Sequence, residues 1–382
     1  MSNSLISFIQ SIYQTKDFIP LHEPRFDSQD RDLLIETLDS TYVSSVGPLV
    51  EKFERINSSY TGSNYCISTF NGTSALHTGL KILDVLPGDE VITQSLTFVA
   101  TVNAIHLCGA NPIFIDIDRE TLGMSPNYLE EFLSTNCEIR KEGCWNKTTK
   151  KYVKVCMPMH TFGFPCKIDL IAEICQKFNI KLIEDSAESL GSFFDGKHTG
   201  TFGDLGVLSF NGNKIITTGS GGMILLNDEK KARLAKHITT TAKLPHKWEF
   251  NHDMPAFNYR LPNLNASLGI SQFSKLDMFL KSKRKLAEQY IIWGSENSFS
   301  MLQEPFKSKS NYWLNTLITE NKEHKEEILK LTNEAKVMTR PAWTPMHLLP
   351  FNNKFQKDDL NNTMWMFDRI VNLPSSVPQY DN

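Results

Sequence analysis

Short apolar runs alternate with amphipathic stretches between about residues 60 and 230. The apolar runs have the length of buried strands and predict YCISTF, EVITQS, PIFIDID, VKVCMPM, IKLIEDS, GVLSF and GGMILLND as strands. A helical period predicts helices in GTSALHTGLKIL, FVATVNAIHLCG and KIDLIAEICQKFN. Strands that alternate with helices indicate a mostly parallel sheet covered on both faces.

The pattern changes after about residue 240. A long segment with three prolines, TTTAKLPHKWEFNHDMPAFNYRLPNLN, predicts an ordered loop instead of a helix. We call this segment the excursion. A helical pattern from Leu264 to about Tyr290 follows, then a strand, NYWLNTLIT, and a helix, EHKEEILKLTNEAKV. We therefore predict a large α/β domain over residues 1–245, including an amphipathic N-terminal helix, and a smaller α+β domain over residues 246–382.

Composition and charge narrow the class of protein. The chain has 382 residues, of which 40% are hydrophobic, and a net charge of -3, so electrostatics give no case for nucleic-acid binding. No apolar run reaches the length of a membrane span, and the N-terminus lacks a signal peptide's features. Seven cysteines, several in apolar runs, predict reduced core thiols and a cytoplasmic location. Cys137 and Cys144 are not followed by a second pair at ligand spacing, so we expect no metal.

A polar cluster, NGTSALH, follows the strand YCISTF and opens a helix. Gly72 allows close approach of the backbone, and the N–H groups of Thr73, Ser74 and Ala75 would point at an anion with the help of the helix dipole. The alternative is a plain N-cap by Thr73 or Ser74, which this motif alone favours.

Two charged residues stand near other strand ends. Asp185 follows IKLI, and Lys214 lies in the loop SFNGNKIITTGSGG between two predicted strands; alone, Asp185 could cap a helix and Lys214 could be solvated. Ligands of open α/β sheets bind beyond the carboxyl ends of the strands. An anion cradle, a carboxylate and a lysine there would suit the phosphate, ring nitrogen and aldehyde of pyridoxal 5'-phosphate. A dinucleotide motif is disfavoured because Gly219, Gly221 and Gly222 precede a strand.

From IPLHEPRF to NLPSS the chain resembles the DegT/DnrJ/EryC1/StrS sugar aminotransferases. The motifs that carry the resemblance are NGTSAL, TFVATVNAI, PIFIDIDRETL, HTFGFPCKID, IEDSAESLGS, FGDLGVLSFNGNKIITTGSGGM and FNYRLPNLNASLG. The resemblance implies fold type I of the pyridoxal-phosphate-dependent transferases, the aspartate aminotransferase-like α/β fold with a mostly parallel central sheet and a smaller C-terminal α+β domain. Some relatives have His in place of the lysine and act as dehydratases, so Lys214 implies transamination.

The resemblance also implies roles for single residues. Lys214 matches the lysine that binds the cofactor aldehyde, and Asp185 matches the partner of the ring nitrogen. Phe98 matches the aromatic residue stacked on the cofactor ring, although a core phenylalanine is the plainer explanation. The residues that match phosphate ligands are Thr73, Ser74 and Ser209, beside Gly72. Asn258 matches the asparagine that reaches the phosphate from a neighbouring subunit, so the resemblance implies a homodimer with shared active sites; a helix cap is the alternative for this residue.

Finer motifs bear on the substrate. Glu188, three residues after the aspartate, is similar to the pattern of 4-aminotransferases. SFNGNKIITTG, TTTAKLPHKWE, YRLPNLNASLG, MTRPAWT and NLPSS resemble the branch that makes UDP-4-amino-4,6-dideoxy-N-acetylglucosamine on the legionaminic acid route to surface glycans. The implied substrates are a UDP-linked 4-keto-6-deoxy-N-acetylhexosamine and glutamate, which leaves as 2-oxoglutarate.

Several alternatives stay open at this point. They are a GDP-4-keto-6-deoxymannose 4-aminotransferase, a 3-aminotransferase acting on a dTDP-keto sugar, a non-catalytic sensor of sugar nucleotides, and a lyase or racemase of amino acids. Retention of both Lys214 and Asp185 argues against the sensor, because binding alone does not need the pair. The candidates for contacts to the sugar nucleotide are His246, Lys247, Trp248, Arg340 and His347, each of which could instead be a solvated or packing side chain.

Overall fold

A computed structural model describes residues 2–378 of the chain. The helices are α1 (Ser2–Tyr13), α2 (Ser28–Asp39), α3 (Pro48–Thr61), α4 (Gly72–Ile82), α5 (Val99–Leu107), α6 (Pro126–Asn136), α7 (Ile168–Lys177), α8 (Glu229–Thr239), α9 (Asn263–Ser274), α10 (Leu276–Glu296), α11 (Lys322–Glu334) and α12 (Asn361–Phe367). The strands are β1 (Tyr65–Thr69), β2 (Glu90–Gln94), β3 (Asn111–Ile115), β4 (Cys137–Arg140), β5 (Gly143–Asn146), β6 (Lys151–Met157), β7 (Lys181–Asp185), β8 (Phe193–Phe194), β9 (Lys197–His198), β10 (Leu205–Ser209), β11 (Gly222–Leu226), β12 (Ser300–Met301), β13 (Ser308–Lys309), β14 (Asn315–Ile318), β15 (Arg340–Pro341) and β16 (Ile370–Leu373).

The large sheet has the strand order β1-β11-β10-β7-β6-β2-β3, and the β4–β5 hairpin extends it beside β6. Neighbours from β10 to β3 run parallel, whereas β11 is antiparallel to both β1 and β10. The prediction of an α/β fold with a mostly parallel sheet is confirmed. The apolar pattern did not reveal the direction of β11, because a strand buried on both faces is continuously apolar whichever way it runs.

Helices cover both faces of this sheet. On one face α4, α5 and α8 pack in a cluster that includes Leu80 and Val91. On the other face α6 and α7 pack in a cluster that includes Ile92 and Ile171. Val91 and Ile92 are successive residues of β2 and point to opposite faces, as the two-residue period of a strand requires. The helices cover the two faces of the sheet but not the strand ends, so the edge formed by these ends is accessible to a ligand.

The C-terminal part of the chain forms a second, four-stranded sheet in the order β12-β14-β16-β15. The N-terminal helix packs here: Leu5 and Ile9 of α1 share a core cluster with Tyr290 and Ile328, from α10 and α11. We predicted this helix in the large domain, but its apolar face packs on the C-terminal elements. The chain that follows the helix is held in the same place, since Ile19 pairs with Val337, shortly before β15. The domain boundary between residues 245 and 246 stays a prediction.

Three further features concern the predictions. The helical pattern from Leu264 comprises two helices, α9 and α10, which meet at Lys275. All seven cysteines are free and buried. Within residues 2–378, no helix has the length and apolar character needed to cross a membrane, and no three His, Cys, Asp or Glu side chains group in a way that could hold a metal ion.

Gly222 opens β11 between Thr69 of β1 and Ser209 of β10. A Cβ atom added there would lie 2.3 Å from the carbonyl oxygen of Asn71. We expect Gly222→Ala to lower the free energy of unfolding by about 1–3 kcal/mol or more, since overpacking forces the backbone to shift. Urea denaturation measures this, and Gly212→Ala is the matched control because its added Cβ would meet nothing within 4 Å. Equal midpoints for the two variants would contradict the close approach.

Candidate active site

A cavity of about 340 Å³ opens at the carboxyl ends of β7 and β10. Its walls come from the N-terminus of α4, the start of α5, the turn after β7, the loop after β10 and the C-terminal part of the chain. The predicted site residues that line it are Gly72, Thr73, Phe98, Asp185, Glu188, Ser209 and Lys214. The structure therefore brings together residues that are up to 142 positions apart in the sequence, from 72 to 214.

Lys214 projects into this cavity from the loop after β10. Its Nζ lies 3.2 Å from Oε1 of Glu188 and 4.1 Å from the ring centroid of Trp313. The side chain is only 12% exposed. A carboxylate and an aromatic face therefore hold the ammonium group inside the cavity, which excludes the alternative of a solvated surface lysine.

Asp185 ends β7 and is a buried residue of the cavity wall. The hydroxyl of Thr101 donates a hydrogen bond of 2.7 Å to its Oδ2, and the N–H of Ala187 donates one of 3.2 Å to its Oδ1. Burial raises the pKa of this carboxyl, and the hydrogen bonds from Thr101 and Ala187 offset part of that shift. A cationic ring nitrogen placed beside it would stabilise the carboxylate in the same way, so Asp185 fits a protonated pyridine.

The N-terminus of α4 forms the anion cradle. Asn71, and not Thr73 or Ser74, is the N-cap: its Oδ1 accepts the Ser74 N–H at 2.8 Å. The N–H of Ala75 is also used, since it donates to the Asn71 carbonyl. Those of Gly72 and Thr73 have no acceptor among residues 2–378 and remain available for an anion. Ser74 itself does not line the cavity.

Gly72 leaves space beside the anion cradle because glycine has no side chain. A Cβ atom on Gly72 would lie 3.1 Å from Cβ and 3.3 Å from Oγ of Ser209, so any larger residue would fill the gap between α4 and β10. Free N–H groups, a serine hydroxyl and this gap fit a phosphate group. With Lys214 and Asp185 in the same cavity, the residues present fit pyridoxal 5'-phosphate.

Aromatic side chains surround the cavity. Phe98 is 45% exposed and lies 5.8 Å from Trp343, centroid to centroid, so it is not a core phenylalanine. Trp343 and Trp313 also line the cavity, and Nε1 of Trp313 donates a 2.7 Å hydrogen bond to the carbonyl of Asn213. We missed both tryptophans in the sequence, because Trp313 sits in a strand-like run where an aromatic residue is usually core. The MTRPAWT motif was the available signal for Trp343.

Glu188 is buried beside Lys214. Its Oε2 accepts a 2.9 Å hydrogen bond from the N–H of Phe162, while Oε1 faces Lys214. Burial raises the pKa of this carboxyl from 4.5 to about 7, although Lys214 and the Phe162 N–H lower it. Glu188 can therefore gain or lose a proton near neutral pH, next to the lysine nitrogen.

The raised pKa of Glu188 predicts a pH-dependent stability. Its stabilising contribution is fully present below its unfolded pKa and is lost as the pH rises through about 7. Relative to Glu188→Gln, the cofactor-free wild type should therefore lose up to roughly 3 kcal/mol between about pH 5 and about pH 8. Urea denaturation of both proteins across this range measures the difference. Glu173→Gln, on the exposed side of α7, is the control; a pH-independent difference for Glu188→Gln would contradict the shift.

The C-terminal candidates for substrate contacts lie outside this cavity. Nη1 of Arg340 donates to Oδ1 of Asn333 and to the carbonyl of Thr339, and Arg340 lines an adjoining cavity. His347 is buried, and its Nδ1 is 2.7 Å from Oγ of Ser95. The structure therefore does not bring His347 to the cavity.

The excursion residues are exposed on this chain. Nδ1 of His246 accepts the Glu249 N–H at 3.0 Å, and Trp248 is 74% exposed; their neighbour Lys247 is exposed as well. Asn258 is exposed, and its Oδ1 accepts a 2.9 Å hydrogen bond from Nε of Arg260. None of His246, Lys247, Trp248 and Asn258 lines the cavity of its own chain.

The fold and the cavity place the protein among the fold type I pyridoxal-phosphate-dependent aminotransferases. Residues 24–379 match the model of the DegT/DnrJ/EryC1/StrS aminotransferase family, and the chain belongs to this family. It is 36% identical to the GDP-perosamine synthase of Escherichia coli O157:H7, over 94% of this chain and 93% of that protein. It is 32% identical to the GDP-perosamine synthase of Caulobacter vibrioides, over 90% of this chain and 89% of the relative. The solved structure of the aminotransferase TlmJ from Streptoalloteichus hindustanus is similar, with a TM-score of 0.85 and 26% identity over 94% of this chain and 93% of that one. The expected enzyme class, fold and cofactor are thereby confirmed.

Proposed function

We propose that this aminotransferase moves an amino group from glutamate to C4 of a nucleotide-linked 4-keto-6-deoxy sugar, for a bacterial surface glycan. The observation that carries the proposal is the contact of Lys214 with Glu188 inside a cavity that also contains Asp185. Glu188 at this position is similar to the pattern of 4-aminotransferases, and the relatives named above are called GDP-perosamine synthases.

When bound, pyridoxal phosphate supplies an electron sink for the carbon that loses its proton. Lys214 Nζ would hold the aldehyde at rest and, once released, would take the proton from the donor's Cα and pass it to the cofactor. Glu188 Oε1, 3.2 Å from that nitrogen, accepts and returns the proton of Nζ. Asp185 would keep a proton on the ring nitrogen, and the N–H groups of Gly72 and Thr73, with the Ser209 hydroxyl, would bind the phosphate. Phe98 lines the same cavity and would exclude water from the bound cofactor.

Two nucleotide sugars are proposed as the acceptor. The names of the relatives support GDP-4-keto-6-deoxymannose, and we place it first. The motifs SFNGNKIITTG and TTTAKLPHKWE support a UDP-linked 4-keto-6-deoxy-N-acetylhexosamine of the legionaminic acid type. The diphosphate common to both needs cations at the cavity mouth, for which Arg340, and His246 and Lys247 of a partner subunit, are candidates.

A substrate panel tests the function. The holoenzyme is incubated with glutamate and with GDP-, UDP- and dTDP-linked keto sugars, and mass spectrometry with NMR identifies the aminated carbon. We expect a 4-amino product with the GDP- or UDP-linked 4-keto sugar, formed at least about 10²-fold more slowly by Lys214→Ala. Conversion of the cofactor by glutamate without amination of any keto sugar would refute the proposal, as would amination at C3.

We also propose a homodimer with shared active sites. Asn258 does not line its own cavity, and the same excursion exposes two large aromatic residues, Trp248 at 74% and Phe250 at 76%. Exposed apolar surface of this kind favours contact with a second copy. If Asn258 bonds the phosphate of its partner's site, its loss should weaken cofactor binding roughly tenfold or more, since a hydrogen bond to a charged group contributes about 1.5–3 kcal/mol.

Complementation tests the shared site. Lys214→Ala and Asn258→Asp are each expected to be inactive, the second because it sets a carboxylate against the phosphate. After reversible dissociation and mixing, a mixed dimer has one site with both lesions and one with neither, so activity should return in part. No recovery in mixed dimers that are shown to form would assign Asn258 to its own chain.

A further inference from the structure

A second cavity, of about 480 Å³, adjoins the active site. Asn213, Trp313 and Trp343 line both cavities and so form a wall that the two share. We call the cavity of about 480 Å³ the side cavity. Its walls are largely apolar, and the described residues that line it include two basic side chains, His22 and Arg340, and no acidic one.

His22 has unused hydrogen-bonding capacity. Both ring nitrogens are buried, and neither has a hydrogen-bond partner among residues 2–378. Burial lowers the pKa of this histidine well below 6.5, and the nearby cations of Lys283, Lys214 and Arg25 lower it further. The backbone of Asn213 lies near enough to offset part of this shift in pKa, but its contact with the ring falls short of hydrogen-bond geometry. The ring is therefore neutral at pH 7 and has one N–H to donate. A buried donor without a partner destabilises the fold, so the arrangement points to a ligand that accepts this hydrogen bond.

The active-site cavity offers few positive charges beyond the phosphate cradle. Lys214 is the one basic side chain among its described lining residues, and the buried carboxyls of Asp185 and Glu188 face the same space. An amino-acid donor brings at least one carboxylate close to Lys214, whose Nζ already contacts Oε1 of Glu188 at 3.2 Å. The side cavity, in contrast, has basic and no acidic side chains among its described lining residues, and it lies directly next to Trp313. The Trp313 ring contacts the Lys214 ammonium at 4.1 Å and lies 6.5 Å from the His22 ring.

We propose that the side cavity, lined by Trp313, Trp343 and His22, binds a carboxylate of the amino donor. His22 donates a hydrogen bond to the carboxylate, and Arg340 supplies positive charge at the mouth. The apolar walls strengthen both interactions because they exclude water. This inference rests on the proposed function in that it takes an amino acid as the donor.

The test separates donor binding from acceptor binding. The holoenzyme is titrated with glutamate, and the cofactor absorbance reports the first half-reaction; the aminated enzyme is then titrated with the keto sugar. For His22→Phe we expect the half-saturating glutamate concentration to rise about tenfold or more, as for the loss of a hydrogen bond to a charged group. The half-saturating concentration of the keto sugar should stay within about twofold of the wild-type value. His22→Gln, which restores an N–H, should recover part of the lost affinity for glutamate. His324→Phe, on α11, is the control.

A binding measurement with succinate extends the test beyond turnover. Succinate has the two carboxylates of a donor but no amine, and we expect calorimetry to show that His22→Phe weakens its binding to the holoenzyme to the same degree as it weakens the binding of glutamate.

A higher half-saturating concentration for the keto sugar alone would make the side cavity a sugar site and overturn the proposal. Unchanged values for glutamate and succinate would also overturn it. If His22→Phe does not fold, His22→Gln and the ability of succinate to compete with glutamate in the wild type decide the same question. A wild type that fails the half-reaction with every amino acid would instead refute the proposed function.

Discussion

Replacement of Lys214 by alanine is expected to lower the rate of amino transfer by about 10²- to 10⁴-fold, the range for loss of a positioned acid–base group. The variant removes the one basic side chain among the described residues that line the cavity. It leaves Asp185 and the cradle at Gly72 and Thr73 intact, so cofactor binding should persist while the chemistry is lost.

Borohydride reduction and peptide mapping identify the lysine that bonds to the cofactor. The label should map to Lys214 in the wild type and disappear in Lys214→Ala, although mass spectrometry still detects bound cofactor. Lys243→Ala is the control, because Lys243 is exposed and its Nζ lies over the Phe250 ring, away from the cavity. A label on any other lysine, or near-normal turnover of Lys214→Ala, would contradict the assignment.

Replacement of Asp185 by asparagine is the prediction with the second-largest effect. The carboxyl is buried, and the charge that it offers to a protonated ring nitrogen has no substitute within the described residues of the cavity except Glu188, which already contacts Lys214. Breaking a buried ion pair costs about 3–5 kcal/mol. We therefore expect amino transfer to fall by roughly 10²- to 10⁴-fold, since each 1.36 kcal/mol is a factor of ten in rate.

Single-turnover absorbance after mixing with glutamate measures the effect of Asp185→Asn. Thr101→Val is the matched control: it keeps the carboxylate and removes only the 2.7 Å hydrogen bond to Oδ2, so its loss should be much smaller. A similar loss in both variants would mean that the position of the carboxyl matters more than its charge.

Much of the fold was predictable because it depends on local pattern. The strands of the large sheet are buried on both faces, so each has to be a continuous apolar run, and every predicted run from YCISTF to GGMILLND contains an observed strand. The helix over 167–179 was equally clear, and α7 spans Ile168–Lys177. The cap of α4 was not assigned correctly, because Asn71, Thr73 and Ser74 are all good capping residues and only the backbone geometry selects among them.

The sequence by itself determined the class of the site. Lys214 in a loop of small residues, Asp185 at a strand end and the helix opening at Gly72 indicate one cofactor, because the order of strands and helices places all three at the same edge of a parallel sheet. The tertiary structure alone decided what surrounds them: Trp313 against Lys214, the unpartnered His22 in the side cavity, the position of His347 beside Ser95, and the packing of α1 on the C-terminal sheet. These contacts join segments far apart in the chain, such as Asn213 and Trp313, which lie 100 residues apart. Periodicity and spacing describe only near neighbours, so contacts of this kind depend on how the whole chain packs.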